Sequence, residues 1–415
     1  MPPADRTRGE PAPSRDRVPT TMQRMRAWRG PALLSFGFRP FFLIGGAYAA
    51  TVVLVWLLVL TGAMASPGDW PPLAWHAHEL VFGFVPAVVA GFLLTAVPNW
   101  TGRLPVVGWP LLGLVAVWLA GRLAVAAAGL LPGALVAALA TAFPVTLAVF
   151  LGREILAGRN WRNLPVLGAV ILLGIAQALF HAELLQGGAP VRGDRLGIAI
   201  TVFLITLIGG RIVPSFTTNW LKRREPGALP VPFNRFDAFV VAGGALGLLL
   251  WAVLPMAPGP TRAAGLILVA GGALQLVRQA RWQPWRTGPE ALVWVLHLAY
   301  GFVPLGFLLS GAGVLRADFG LEMAGLHAWA AGAIGLMTLA VMTRATRGHT
   351  GHALTAPPAT VAVYLAVALA ALLRIAAALA PGWSVPLLTL AGIGWCAGFL
   401  GFVLLYGPML IRPRA

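Results

Sequence analysis

Apolar stretches long enough to cross a bilayer follow one another from residue 40 to residue 411, broken by short clusters of Pro, Gly and Arg. A helix rises about 1.5 Å per residue, so about 20 apolar residues span a hydrocarbon core of about 30 Å. Each stretch therefore predicts a transmembrane helix. Twelve are predicted, at roughly 40–62, 74–98, 107–128, 131–151, 164–186, 195–217, 237–256, 262–280, 289–314, 320–345, 357–380 and 385–411. The expected fold is all-α, a polytopic membrane bundle of about twelve transmembrane helices.

The exceptions to the apolar pattern carry the chemistry. Histidine, glutamate and arginine recur at a few depths, as in Trp75-His76-Ala77-His78-Glu79, Leu296-His297-Leu298 and Leu326-His327-Ala328. An ionisable group in hydrocarbon costs several kcal/mol unless it is paired, lines a cavity or binds something, so each is a candidate functional residue.

Composition agrees with the pattern: of 415 residues, 58% are hydrophobic and only 10% charged. A net charge of +17 in a soluble protein would point to nucleic acid, but here the arginines lie in the N-terminal tail and between spans. Alternate loops carry Arg103, then Arg153, Arg159 and Arg162, then Lys222, Arg223, Arg224 and Arg235, then Arg278, Arg281 and Arg286, then Arg344 and Arg347. Under the positive-inside rule both termini are cytoplasmic, no nucleic-acid partner is expected, and the lipid bilayer is the partner. Residues 1–32, rich in Arg and Pro, read as a disordered cytosolic tail, and 33–415 as the membrane domain. The one cysteine, Cys396, lies in an apolar span, so metal ligands must be nitrogen or oxygen.

A faint repeat divides the twelve helices. Segments 94–100, 210–216 and 338–344 close helices two, six and ten, and their valines Val97, Val213 and Val341 stand 116 and 128 residues apart. That spacing fits three pseudo-repeated four-helix units, with a site at their interfaces.

Topology then sets depth. His76, His78 and Glu79 fall in the outer turns of helix two, and His181 and Glu183 in the last turns of helix five. His327 lies about 12 Å below the outer end of helix ten by the helical rise. His297, approached from the other side, differs from it in depth by about 6 Å in a core of about 30 Å, so the two could face one cofactor. His349 and His352 are expected in a Gly-rich cytoplasmic loop. His76 and His78 point about 200° apart, so they cannot share one ion on a regular helix. Glu79 shares a face with His76 and is expected to orient its ring.

Neutral imidazole is the usual nitrogen ligand of haem iron and copper. Arg122 and Arg374, in the outer halves of helices three and eleven, suit haem propionates. Snorkelling arginines and hydrogen-bonded packing histidines are the structural alternatives. Arg211, in Gly209-Gly210-Arg211-Ile212-Val213-Pro214, suggests a helix that opens to admit an anion or to bond freed carbonyls.

Ser35-Phe36-Gly37-Phe38-Arg39-Pro40-Phe41-Phe42, Trp75-His76-Ala77-His78-Glu79, the segment Gly91 to Gly102, Gly209 to Thr217, Gly332 to Thr338 and Gly348-His349-Thr350-Gly351 resemble the signatures of the NnrS family. The similarity runs from about residue 33 to the end. It implies a bacterial inner-membrane protein carrying haem and copper, with nitric oxide as ligand or substrate and an electron donor it does not identify. It also implies that His76, His78, Glu79, His181, His297, His327 and His349 match family motif positions, while His352 departs from the motif. The expected function is binding and reduction or detoxification of nitric oxide, as in a nitric oxide reductase-like oxidoreductase. The expected sites are Glu79 and Arg211 for catalysis, and His76, His78, His327, Arg122 and Arg374 for the cofactor. The metal ligands are sought among His76, His78, His181, His297, His327 and His349. Haem b is expected, since no Cys-x-x-Cys-His motif exists for covalent haem. A non-catalytic sensor or carrier, and a metal or anion transporter, are the alternatives.

Overall fold

The computed structural model describes residues 28–103, 105–224, 226–254 and 260–414; residues 1–27, most of the expected tail, lie outside them. Twelve helices are long and apolar enough to cross a membrane. They are α1 Phe38–Leu60, α2 Pro72–Thr101, α3 Trp109–Ala126, α4 Gly133–Ala157, α5 Trp161–Leu185 and α6 Val191–Leu221, then α7 Arg235–Val253, α8 Thr261–Arg286, α9 Ala291–Arg316, α10 Phe319–Thr350, α11 Pro358–Leu379 and α12 Pro381–Ile411. No strand occurs among the described residues. The chain is a multi-pass membrane protein with an all-α fold. An even number of spans puts the start of α1 and the end of α12 at one end of the bundle, here the terminal end; the opposite is the far end.

The packing follows the expected units of four. The last helix of each unit lies against the first of the next: α4 on α5, α8 on α9, and α12 back on α1, which closes the ring. The second helices of the units, α2, α6 and α10, touch one another at the centre. Each contains a π-helical segment, Glu79–Phe84, Ile205–Gly209 and Ala328–Leu336 respectively, and among the described residues no other helix has one. π turns are rare and concentrate at functional sites. Two of the three begin directly after a histidine, His78 and His327.

The central helices run past the ends the sequence suggests, with 30, 31 and 32 residues in α2, α6 and α10. Pro98 does not stop α2. The side chains of Asn99 and Thr101, after it, donate to the carbonyls of Thr95 and Val97, before it, adding hydrogen bonds to the turn that the proline interrupts. The loop charges also need correction at Arg278. It is fully buried on α8, donates through Nε to Asp237 Oδ1 at 3.0 Å, and donates through Nη1 to Thr206 O, inside the π segment of α6, at 2.9 Å. A pairing carboxylate and a carbonyl of the π turn hold this arginine inside, so it does not mark a loop.

Arg39 fixes the closure of the ring. Its Nη1 reaches the last turn of α12 and donates to Leu410 O at 2.9 Å and Arg412 O at 2.6 Å, with Met409 O at 3.3 Å. Those carbonyls have no intrahelical donors of their own. Hydrogen bonds to charged groups contribute about 1.5–3 kcal/mol each. Arg39→Met is therefore expected to destabilise the detergent-solubilised protein by roughly 3 kcal/mol. Arg39→Lys should recover only part of this. Thermal unfolding of the three proteins is the check, and equal midpoints would refute the role.

Candidate functional site

The far end of α2 begins with Pro72, whose fixed φ suits the first helical turn. His76 and His78 follow one and a half turns later and point into different neighbourhoods, as a separation of about 200° requires.

His78 faces α5. Its Nδ1 lies 2.6 Å from Glu79 Oε1, and its Nε2 lies 3.2 Å from His181 Nε2 and 3.3 Å from Gln177 Nε2. Gln177 and His181 stand four residues apart on α5 and so share a face. The same Glu79 oxygen accepts from Arg122 Nη1 of α3 at 2.6 Å. Gly83 makes room, because a Cβ there would meet Arg122 Nη1 at 2.8 Å, and its carbonyl accepts from Trp118 Nε1 at 2.9 Å. The rings of Trp70, Phe82 and Phe180 pack around His78. His78 and Gln177 are fully buried and Glu79 is 1% exposed. The result is a dry line of groups from Arg122 through Glu79 and His78 to His181. The expected pairing of Glu79 with His76 is not found: Arg122 draws the carboxylate to the side where His78 Nδ1 lies.

His76 faces the opposite way, stacked on Trp56 of α1 with ring centroids 4.4 Å apart. Its Nδ1 is buried without a hydrogen-bond partner. Arg374 stands on α11, which packs against the segment of α10 that ends in His327. His327 Nδ1 bonds Met323 O at 2.8 Å, one turn back, which makes Nδ1 the protonated nitrogen and leaves Nε2 with its lone pair. No ion pair is found for Arg374 among the described residues.

The remaining candidates stand apart from these two groups. His297 Nε2 bonds Thr217 Oγ1 of α6 at 2.8 Å in the terminal half of α9, so it does not face a common point with His327. His349 is not in a loop: it lies in the last turn of α10 against the rings of Phe36 and Phe38. Gly351, at φ 93°, ends the helix after Thr350, five residues beyond the expected end at 345. His352 follows that turn and bonds Thr350 Oγ1 at 2.9 Å. Arg211 donates to Asn163 Oδ1 at 3.1 Å in the terminal half of α6, away from both histidine pairs. The freed-carbonyl role foreseen for Arg211 falls to Arg278 of the neighbouring helix.

The residues present fit both groups of interest. Two nitrogens held by one tetrahedral ion at about 2.0–2.1 Å lie roughly 3.3 Å apart, close to the 3.2 Å between His78 Nε2 and His181 Nε2. Glu79 on His78 Nδ1 is the carboxylate that commonly orients a metal-bound imidazole. No three His, Cys, Asp or Glu side chains converge among the described residues, so imidazole supplies at most two ligands there. His76, His327 and Arg374, for which no ion pair is found among the described residues, are the residue types that a haem with anionic propionates asks for.

The family described as NnrS protein matches residues 32–414, nearly the whole chain. The chain belongs to the NnrS family. No curated protein matches it. Membership in the NnrS family marks a nitric oxide response protein, in a family associated with metal or haem binding. Within this NnrS chain, sequence reasoning missed Gln177 and Trp70. Gln177 was visible as a polar residue four positions before His181 in an otherwise apolar span, whereas Trp70 precedes α2 and carries no such signal.

Glu79→Gln should leave Arg122 as a buried cation without its carboxylate, a loss of about 3–5 kcal/mol by analogy with broken buried pairs. Arg122→Met with Glu79→Gln should cost less than the sum of the single changes, because the two groups share one network. A double-mutant cycle by thermal unfolding measures this; additive costs would show that the pair is not coupled.

Proposed function

We propose that the chain is a bacterial inner-membrane haem/copper protein that binds nitric oxide and reduces it, with both termini in the cytoplasm. Haem b would be held by His76 and His327 with Arg374 beside the propionates, and copper by His78 and His181. The observation that carries the reading is that His76 and His78 point to opposite sides of α2, His78 against His181 with Arg122 held through Glu79, and His76 against Trp56. Bound there, iron and copper supply one-electron chemistry and positions at which nitric oxide binds.

The chain's own part is positioning and electrostatics. Glu79 keeps the proton of His78 on Nδ1, so Nε2 points its lone pair at the pair's shared space. Arg122 pairs directly with Glu79 in an apolar surround. Trp70, Phe82 and Phe180 exclude water from His78, which strengthens each of these interactions. Reduction of two nitric oxide molecules to nitrous oxide and water consumes two electrons and two protons. The carboxylates near the histidines lie at the far end. A cavity of about 470 Å³, lined by Glu183, Arg192 and Arg195 among others, opens there beside the end of α5. Proton supply from that side, the periplasmic side in this orientation, follows from that placement.

Optical spectra with metal analysis test the reading. The purified protein should carry b-type haem and copper, and its reduced spectrum should respond to nitric oxide. His76→Ala and His327→Ala should lose or alter haem while keeping copper, and His78→Ala and His181→Ala the reverse. Arg374→Gln should lower the haem midpoint potential, because reduction adds negative charge beside propionates that have lost their cation. A colourless preparation made with ample haem, or loss of both groups in every variant alike, would overturn it.

A further inference from the structure

Hydrogen bonding around His78 does not close among the protein's own atoms. Glu79 takes the Nδ1 proton, so Nε2 carries a single lone pair. Two nitrogen donors face that lone pair, His181 Nε2 at 3.2 Å and Gln177 Nε2 at 3.3 Å. One of them is left without a full acceptor. At the same time Gln177 Oε1 is buried with no hydrogen-bond partner, in a side chain with no exposure at all. A buried amide with an idle carbonyl is destabilising, and a neighbouring imidazole pair with excess donors compounds it.

A cation between the two imidazoles removes both problems at once. With the His181 proton on Nδ1, it takes the lone pairs of His78 Nε2 and His181 Nε2, and a half-turn about the terminal torsion of Gln177 exchanges its NH2 and its oxygen at nearly unchanged positions. The amide oxygen then faces the cation, the idle acceptor is used, and no donor points at positive charge. We infer that Gln177 supplies the third donor atom, through Oε1, of a copper site whose other ligands are His78 and His181. This rests on the copper reading above and adds to it a ligand of a type outside His, Cys, Asp and Glu. Imidazole with a weak amide oxygen is a donor set copper accepts. Glu79 and Arg122 bond to each other, so the positive charge of the ion stays next to an already neutralised pair.

The test uses full-length purified protein titrated with copper against a chromogenic chelator, with copper(II) electron paramagnetic resonance and haem content read on the same samples. Gln177→Leu should weaken copper binding about 10–100-fold and change the copper hyperfine splitting, with haem content unchanged. Gln177→Glu, which keeps an oxygen at the same reach, should bind copper within a few-fold of the wild type. A residue that only packs would not be rescued in this way. If Gln177→Leu fails to assemble, Gln177→Asn, one methylene short, should still show the weakening. Wild-type affinity and an unchanged resonance signal in Gln177→Leu, or in Gln177→Asn in its place, would overturn the role of Gln177. Wild-type affinity in His181→Ala would instead overturn the copper placement itself, so the two failures are distinguishable.

Discussion

A polar group inside hydrocarbon has no water to turn to, and almost every distinctive feature of this bundle follows from where such groups find partners. Arg39 finds the last carbonyls of α12 and closes the ring. Arg278 finds Asp237 and a carbonyl of the α6 π turn. Arg195, near the far end of α6, finds Glu322 of α10 at 2.5 Å with Trp251 stacked beside it. Glu79 divides itself between Arg122 and His78. Not every buried polar atom finds a partner among the described residues, and His76 Nδ1 and Gln177 Oε1, on the two sides of α2, are two that do not.

The π turns connect architecture to site. The three second helices meet at the centre of the bundle, and each departs there from the regular helix. A regular helix repeats its faces every 3.6 residues, whereas a π segment re-aims whatever follows it. In α2 the histidines precede the turn and Gly83 sits within it, where the missing side chain admits Arg122. In α10 the turn starts directly after His327, and Trp329 inside it donates to Val303 O of α9. In α6 the corresponding position is Leu204, and the turn is occupied by Arg278. The π segment thus adjoins a histidine in two units and an ion-paired arginine in the third.

What the sequence made legible tracks the range of the physics involved. Twelve spans were readable because bilayer thickness acts on about 20 residues at a time, and the separation of His76 from His78 because helical period acts on neighbours. Units of four were visible through Val97, Val213 and Val341. Contacts between distant positions were not: Arg122 follows Glu79 by 43 residues, so the diversion of the carboxylate from His76 to His78 left no local trace. Gln177 escaped because an amide is not ionisable and so is not marked by the cost of burying charge. Glycines at 348 and 351 suggested a loop where the helix in fact persists past His349. Arg278 looked like a topology marker because its partner Asp237 lies on another helix.

The central claim is that two different groups occupy opposite sides of α2. Anomalous X-ray scattering from crystals of the purified protein, collected at the iron and copper edges, addresses it most directly. One iron peak between His76 and His327 and one copper peak between His78 and His181 is the predicted result. Iron or copper at His297 or His349, or both metals on a single histidine pair, would contradict it.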